Sequence, residues 1–228
     1  MMQTTRTLIE DTDCEGARLQ LWEHVVQGKR EHELVMNGVF LMASYNRESS
    51  EALIHAAMKR LGDRGGVRVL IGGLGMGFTA SEACREPSIA RIDIVELSPT
   101  ILAWNRQYFE EHNQHCLDEE RVRVIVDDFH DYVSQTKDTY DAILMDIDNG
   151  PALLVREPNR RVYTSGFFER VRNALTPGGV FVVWSCSEED LLEQAGRQVF
   201  PGCDVETIVE NRDGRDCRYF LYVLHNCT

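Results

Sequence analysis

Val67-Arg68-Val69-Leu70-Ile71-Gly72-Gly73-Leu74-Gly75-Met76-Gly77-Phe78-Thr79 is the stretch on which the fold turns. An apolar run of strand length ends in four glycines within six positions. Glycine at a strand end permits unusual backbone angles and lets another group approach the main chain. Helical periodicity follows over about residues 77–86, and a helix N-terminus favours a negative group. Strand, glycine loop and helix in this order turn a weak glycine motif into a useful one.

Downstream of this stretch the pattern repeats. Strand-like runs occur at "RIDIVEL" (91–97), "VRVIVD" (122–127), "YDAILMD" (140–146) and "VFVVWS" (180–185). Helical segments are expected at about 99–113, 129–136, 164–175 and 187–198. Apolar strands alternating with helices predict an α/β fold with a mostly parallel sheet covered on both faces. "DVETIVE" (204–210) and "CRYFLYVLH" (217–225) flank the turn residues "NRDGRD" and predict an antiparallel closing pair. This is the pattern of a Rossmann-like class I methyltransferase fold, with a seven-stranded sheet and an antiparallel last strand. Upstream, Asn37-Gly38 in "ELVMNGVFLMAS" predicts a type I′ hairpin. Residues 1–60 thus read as an arm, a β-hairpin and a helix, and 61–228 as the Rossmann-like domain.

Composition narrows the function. The 228 residues carry a net charge of −13 and no basic run, which disfavours a nucleic-acid partner. No apolar stretch reaches membrane-spanning length, and the N-terminus lacks the pattern of a secretory signal. The seven cysteines are an odd number with no C-x-x-C pair, so reduced thiols in a cytoplasmic protein are expected and a metal site is not. His112 and His115 read as exposed helix-end residues rather than a metal pair.

Ligands of such sheets lie at the carboxyl ends of the strands. Gly72, Gly73, Gly75 and Gly77 form the first strand end, and Glu96 with Leu97 the second. An acid there accepts hydrogen bonds from both hydroxyls of a ribose. Ser98 as N-cap and Pro99 at the first helical position pin that strand end. At the third, Asp128 suits an adenine amino group and Phe129 would flank the ring. An adenosyl ligand fits all three. Asp146 ends the fourth strand, where a carboxylate can orient an amine and take its proton. Asp148 and Tyr163 are placed on the substrate side, while Trp22, Trp104 and Trp184 read as packing residues.

"VLIGGLGMG", "IVELSPTIL", "VRVIVDDFHDY", "YDAILMDIDNGPA" and "YTSGFFERVRNALTPGGVFVVW" together resemble the spermidine synthase-like group of this fold, over about residues 34–185. The resemblance implies that Glu96 binds ribose, Asp128 binds adenine and Asp146 is the catalytic acid–base. It also has departures. The family's G-G-G-D-G holds the free amine of decarboxylated S-adenosylmethionine, and glycine stands here at the acidic position. Ser49-Ser50 replaces a Tyr-His or Tyr-Gln pair, and "IDNGP" follows Asp146 where the family has S-D-P or T-D-P. The expected cofactor is therefore intact S-adenosylmethionine, with the decarboxylated form as the alternative. The expected reaction is methyl transfer to a small amine-bearing acceptor. Aminopropyl or aminocarboxypropyl transfer and a non-catalytic adenosyl-binding role are the alternatives. The apolar hairpin face suggests a homodimer.

Overall fold

A computed structural model of the chain describes residues 6–14, 16–26, 28–212 and 215–226. Two compact units emerge, Met1–Arg47 and Glu48–Thr228.

The first unit is a four-stranded antiparallel sheet in sequence order: β1 (Arg6–Cys14), β2 (Ala17–Val26), β3 (Lys29–Met36) and β4 (Val39–Ala43). The hairpin expected at Asn37-Gly38 joins β3 and β4, with both residues at positive φ (51° and 80°) as a type I′ turn requires. The segment before it is not an arm. Ala17, Leu19 and Leu21 alternate and are buried, so β2 has a proper inner face and pairs with both β1 and β3.

The second unit begins with α1 (Glu48–Leu61), whereas the sequence pattern places this helix with the N-terminal region up to residue 60. Its buried face of Leu53, Ile54, Ala56 and Ala57 lies on the large sheet, so the division falls between Arg47 and Glu48. That sheet comprises β5 (Val67–Gly72), β6 (Ile89–Glu96), β7 (Val122–Val126), β8 (Tyr140–Met145), β9 (Leu175–Ser185), β10 (Gly202–Arg212) and β11 (Arg215–His225). Their order is β10-β11-β9-β8-β5-β6-β7, and only β11 runs antiparallel to its neighbours. This is the expected seven-stranded, mostly parallel α/β fold. Part of the turn proposed between the last two strands, Asp213 and Gly214, lies outside the described residues, as does Cys227.

Helices α2 (Phe78–Arg85), α3 (Pro99–Trp104), α4 (Phe129–Gln135), α5 (Ser165–Ala174) and α6 (Asp190–Val199) connect the strands. Phe167, Phe168 and Val171 of α5 fill one face of the sheet against Ile143, Met145, Phe181 and Val183. The helix expected over 99–113 stops early. Asn105 donates its amide to the Ile101 carbonyl at 2.9 Å and the Gly75 carbonyl at 2.7 Å, and the backbone widens into a π turn over Asn105–Phe109. His115, at a left-handed φ of 55°, is exposed, with Glu110 at 3.6 Å and Asp118 at 3.9 Å. Among the described residues no helix is long and apolar enough to cross a membrane.

Candidate active site

The chain leaves β5 towards β6 and β7, then crosses back to β8 on the other side of β5. The carboxyl ends of β5 and β8 therefore flank the switch point at which open α/β sheets hold ligands. The glycine loop and Asp146 stand at these two ends.

Three of the four glycines are dictated by the protein itself. A Cβ on Gly72 would come within 2.7 Å of the Phe129 ring. One on Gly73, at φ 92°, would meet the Asp146 carbonyl oxygen at 2.2 Å. One on Gly77 would lie 3.0 Å from Asn105 and Asn113. Gly75 also has positive φ (53°), and its carbonyl is held by Asn105, whose oxygen accepts from Asn113. The loop is fixed from below by two buried asparagines that no motif announced.

Glu96 is buried at the end of β6. Its two oxygens accept from Leu74 N at 2.9 Å and Ser98 N at 2.8 Å. Burial pushes its carboxyl up, and the N–H groups of Leu74, Ser98, Leu97 and Gly75 oppose that shift. Glu96 thus ties the glycine loop to the turn where Ser98 caps α3 through Ile101 N and Pro99 opens the helix.

Asp128 caps α4, accepting from Asp131 N at 3.3 Å, and forms a 2.7 Å ion pair with Arg161. Arg161 reaches from a 3₁₀ turn, Glu157–Tyr163, and also approaches Asp131 at 3.3 Å. Phe129 does not stand open beside Asp128. It is a core residue, packed on Gly72 and edge-on to Phe167 at 5.9 Å.

Asp146 follows β8, with its backbone N–H on the Gly72 carbonyl at 2.9 Å. Its carboxyl accepts a 3.3 Å hydrogen bond from Ser50, and desolvation pushes its pKa up to about 6. Ser50 is itself gripped, since the Thr79 hydroxyl of α2 donates to its carbonyl at 3.1 Å. Asp148, two residues on, is spent on its own loop. It accepts from Asn149 N at 2.9 Å, Val155 N at 2.7 Å and the Asn159 amide at 2.7 Å. Burial raises its carboxyl as well. The Tyr163 hydroxyl is pushed well up by burial, with the charges of Asp148, Asp146, Cys186 and Glu189 adding to it. Thr164 caps α5 through Phe167 N.

The structure thus brings the glycine loop, Glu96, Leu97, Asp128 and Asp146 to one edge, and Tyr163 within the field of Asp146 and Asp148. Sequence reasoning missed Ser50 as a partner of Asp146, Asn105 as the brace of the loop, and Arg161 on Asp128. Only Ser50 carried a signal, standing where the resemblance implied a larger side chain.

Comparisons with known proteins agree with this architecture. Residues 47–205 match the spermine/spermidine synthase domain. Polyamine aminopropyltransferases of Erwinia tasmaniensis and of a Synechococcus strain are 34% identical over 115 residues and 32% identical over 139 residues. These segments cover 50% and 58% of this chain but only 39% and 42% of those relatives, so the chain spans about two fifths of their length. The spermidine synthase of Thermotoga maritima superimposes with a TM-score of 0.77 at 19% identity, covering 96% of this chain and 72% of that one. A spermidine synthase in complex with the transition-state analogue AdoDATO gives 0.78, also at 19% identity, with 96% and 74% covered. With its domain match extending from the start of α1 to β10, the chain belongs to the spermine/spermidine synthase domain family.

Proposed function

We propose that this chain is an alkyltransferase that moves a propylamine-type group from an adenosyl sulfonium to a small amine. Family membership across the whole crevice, with Asp146 partly desolvated at its centre, carries the reading. The preference for methyl transfer drawn from the sequence gains nothing from the relatives, which are named for aminopropyl transfer.

In this reading the glycine loop backs the donor. Glu96, held by the N–H groups of Leu74 and Ser98, also accepts from the ribose hydroxyls. Asp128 accepts from the adenine amino group once Arg161 shifts aside. The acceptor nitrogen forms a bond to the propyl carbon, the carbon–sulfur bond breaks, and its electron pair leaves on sulfur as the neutral thioether. The proton shed by the new ammonium passes to the Asp146 carboxylate. The sulfonium is already a good leaving group, so alignment supplies most of the acceleration.

One observation favours a second reading. Gly75 offers no acid to hold the amine of a decarboxylated donor, and a neutral loop accommodates the carboxylate of intact S-adenosylmethionine. Incubation with each donor and a panel of amines, followed by mass spectrometry, separates the two. Methylthioadenosine marks propyl transfer and S-adenosylhomocysteine marks methyl transfer. Formation of S-adenosylhomocysteine alone would overturn the first reading.

A further inference from the structure

The helix that carries Ser50 to Asp146 is held at both ends by β10 and β11. α1 packs on these strands, and Glu206 and Glu210 share the face of β10 that meets it, by the two-residue period of a strand. At the far end of α1, Lys59 pairs with Glu206 at 2.8 Å, and Arg60 stands 2.7 Å from Nδ1 of His225 on β11. The Lys59 side chain is 76% exposed, and a pair of that kind contributes little. The near end is held differently. Ser49 lies in the first turn of α1, where backbone N–H groups find no partner within the helix. The Glu210 carboxylate accepts from the Ser49 N–H at 2.6 Å, across 161 positions of chain, and Glu210 is buried.

A buried carboxylate is costly unless it is bonded. The usual partner of a first-turn N–H is a Ser, Thr, Asp or Asn side chain just ahead of the helix. A cap supplied from β10 instead fixes where α1 starts on the sheet. The next residue is the one that faces the crevice. Ser50 is buried, its carbonyl accepts from the Thr79 hydroxyl at 3.1 Å, and its own hydroxyl donates to Asp146 Oδ2 at 3.3 Å. A bond already this long is lost when the start of the helix moves by a few tenths of an ångström. Burial and the Ser50 bond are what shift the Asp146 carboxyl. The titratable groups around it are Asp148, and Tyr163 with its neighbours Cys186 and Glu189. Those around Glu210 are Cys217, opposite it on β11, and Glu48 and Glu51 in the first turn of α1.

We infer that Glu210 is a positioning residue for Asp146: by capping Ser49 it sets the start of α1 and so keeps the Ser50 hydroxyl on the carboxylate. The inference rests on the transferase reading only for the use of Asp146 as a base, since the placement of its carboxyl is a property of the folded chain. Glu210 acts through the helix and not by its charge, and the sign of the effect separates the two. Loss of the Ser50 bond raises the pKa of Asp146, because that bond favours the ionised form. Loss of a nearby negative charge would lower it.

The test is carbon NMR titration of the aspartate carboxyls in the whole chain, with the Asp146 signal identified by its absence in Asp146→Asn. Glu210→Ala should raise the Asp146 midpoint by about half a pH unit or more. Ser50→Ala should do the same, and the double variant should raise it no further, because both changes remove one bond. Glu210→Gln keeps an acceptor for the Ser49 N–H and should leave the midpoint in place. If Glu210→Ala does not fold, Glu210→Asp, which draws the carboxylate back by one methylene, should raise the midpoint instead. An unmoved or lowered midpoint in the variant that folds would overturn the inference. So would a rise in Glu210→Gln equal to that in Glu210→Ala, or effects of Glu210 and Ser50 that add. With a working donor and amine, the acid limb of turnover should move up in Glu210→Ala by the same amount as the midpoint. A shifted midpoint with no transfer from either donor in the unaltered protein would instead reject the transferase reading and leave the positioning role standing.

Discussion

The two halves of the crevice are built on opposite plans. On the side assigned to the donor, the acids are already engaged. Glu96 holds two backbone N–H groups, and Asp128 holds the start of α4 and Arg161. On the side assigned to the acceptor, the carboxylate is left nearly alone. Asp146 has one long hydrogen bond and a raised pKa. A cradle filled by backbone groups is pre-organised and pays little reorganisation when a ligand arrives. A sparsely solvated carboxylate keeps its basicity near the operating pH, which suits proton transfer. The contrast predicts that single changes cost more in chemistry than in donor recognition.

The largest effect should come from the acceptor side. Asp146→Asn keeps the shape and removes the charge that the proposed proton transfer needs, so turnover should fall by about 10²–10⁴-fold while methylthioadenosine affinity holds. Single-turnover kinetics and calorimetry together check both halves of that statement. In the unaltered protein the carboxylate must be ionised to act. Activity should therefore rise with pH through about 6 and fall away on the acid side. A profile flat from pH 5 to 7 would remove Asp146 as the base.

Glu96→Ala is the matching break on the donor side. Losing an acceptor shared by Leu74, Ser98 and the ribose should weaken adenosyl binding by about 1–3 kcal/mol. It should also lower the melting temperature by several degrees, because two buried N–H groups are orphaned. Unchanged affinity with a lowered melting temperature would make Glu96 a structural acid only.

Asp146 also affects stability. Its folded pKa is raised, so the folded state binds the proton more tightly than the unfolded chain does. The stability this brings is present in full below pH 3.8 and is lost as the pH rises through about 6. At neutral pH the ionised group then costs about 1–3 kcal/mol, discounted for its partial contact with solvent. Asp146→Asn should melt higher than the unaltered protein at neutral pH, with the gap closing in acid. Thermal scans at both ends of that window decide it.

The smallest effect is expected at Arg161. The side chain is largely exposed, and such ion pairs contribute about 0–1 kcal/mol. Arg161→Ala frees Asp128 and should tighten methylthioadenosine binding by no more than about fivefold. Weaker binding would show that the guanidinium itself touches the donor.

The strand ends and the helix starts were legible because they follow from local rules. Strand-length apolar runs, the Ser98-Pro99 start and the Asn37-Gly38 turn are written in consecutive residues. The reach of the domain was less legible. Alternation in Ala17, Leu19 and Leu21 was present, yet it needs β1 and β3 as partners before it reads as a sheet. α1 looked like part of the N-terminal region until the large sheet supplied the surface that buries it.

By itself the sequence determined the order of strands and helices from residue 67 onward and the acids that follow or end β6, β7 and β8, because periodicity and capping act over a few residues. Tertiary structure alone decided what those acids face. It set Phe129 against Gly72 and gave Asp128 to Arg161. It brought Ser50 to Asp146 across 96 positions. Hydrogen-bond satisfaction and desolvation depend on groups far apart in the chain, and no window of sequence contains them.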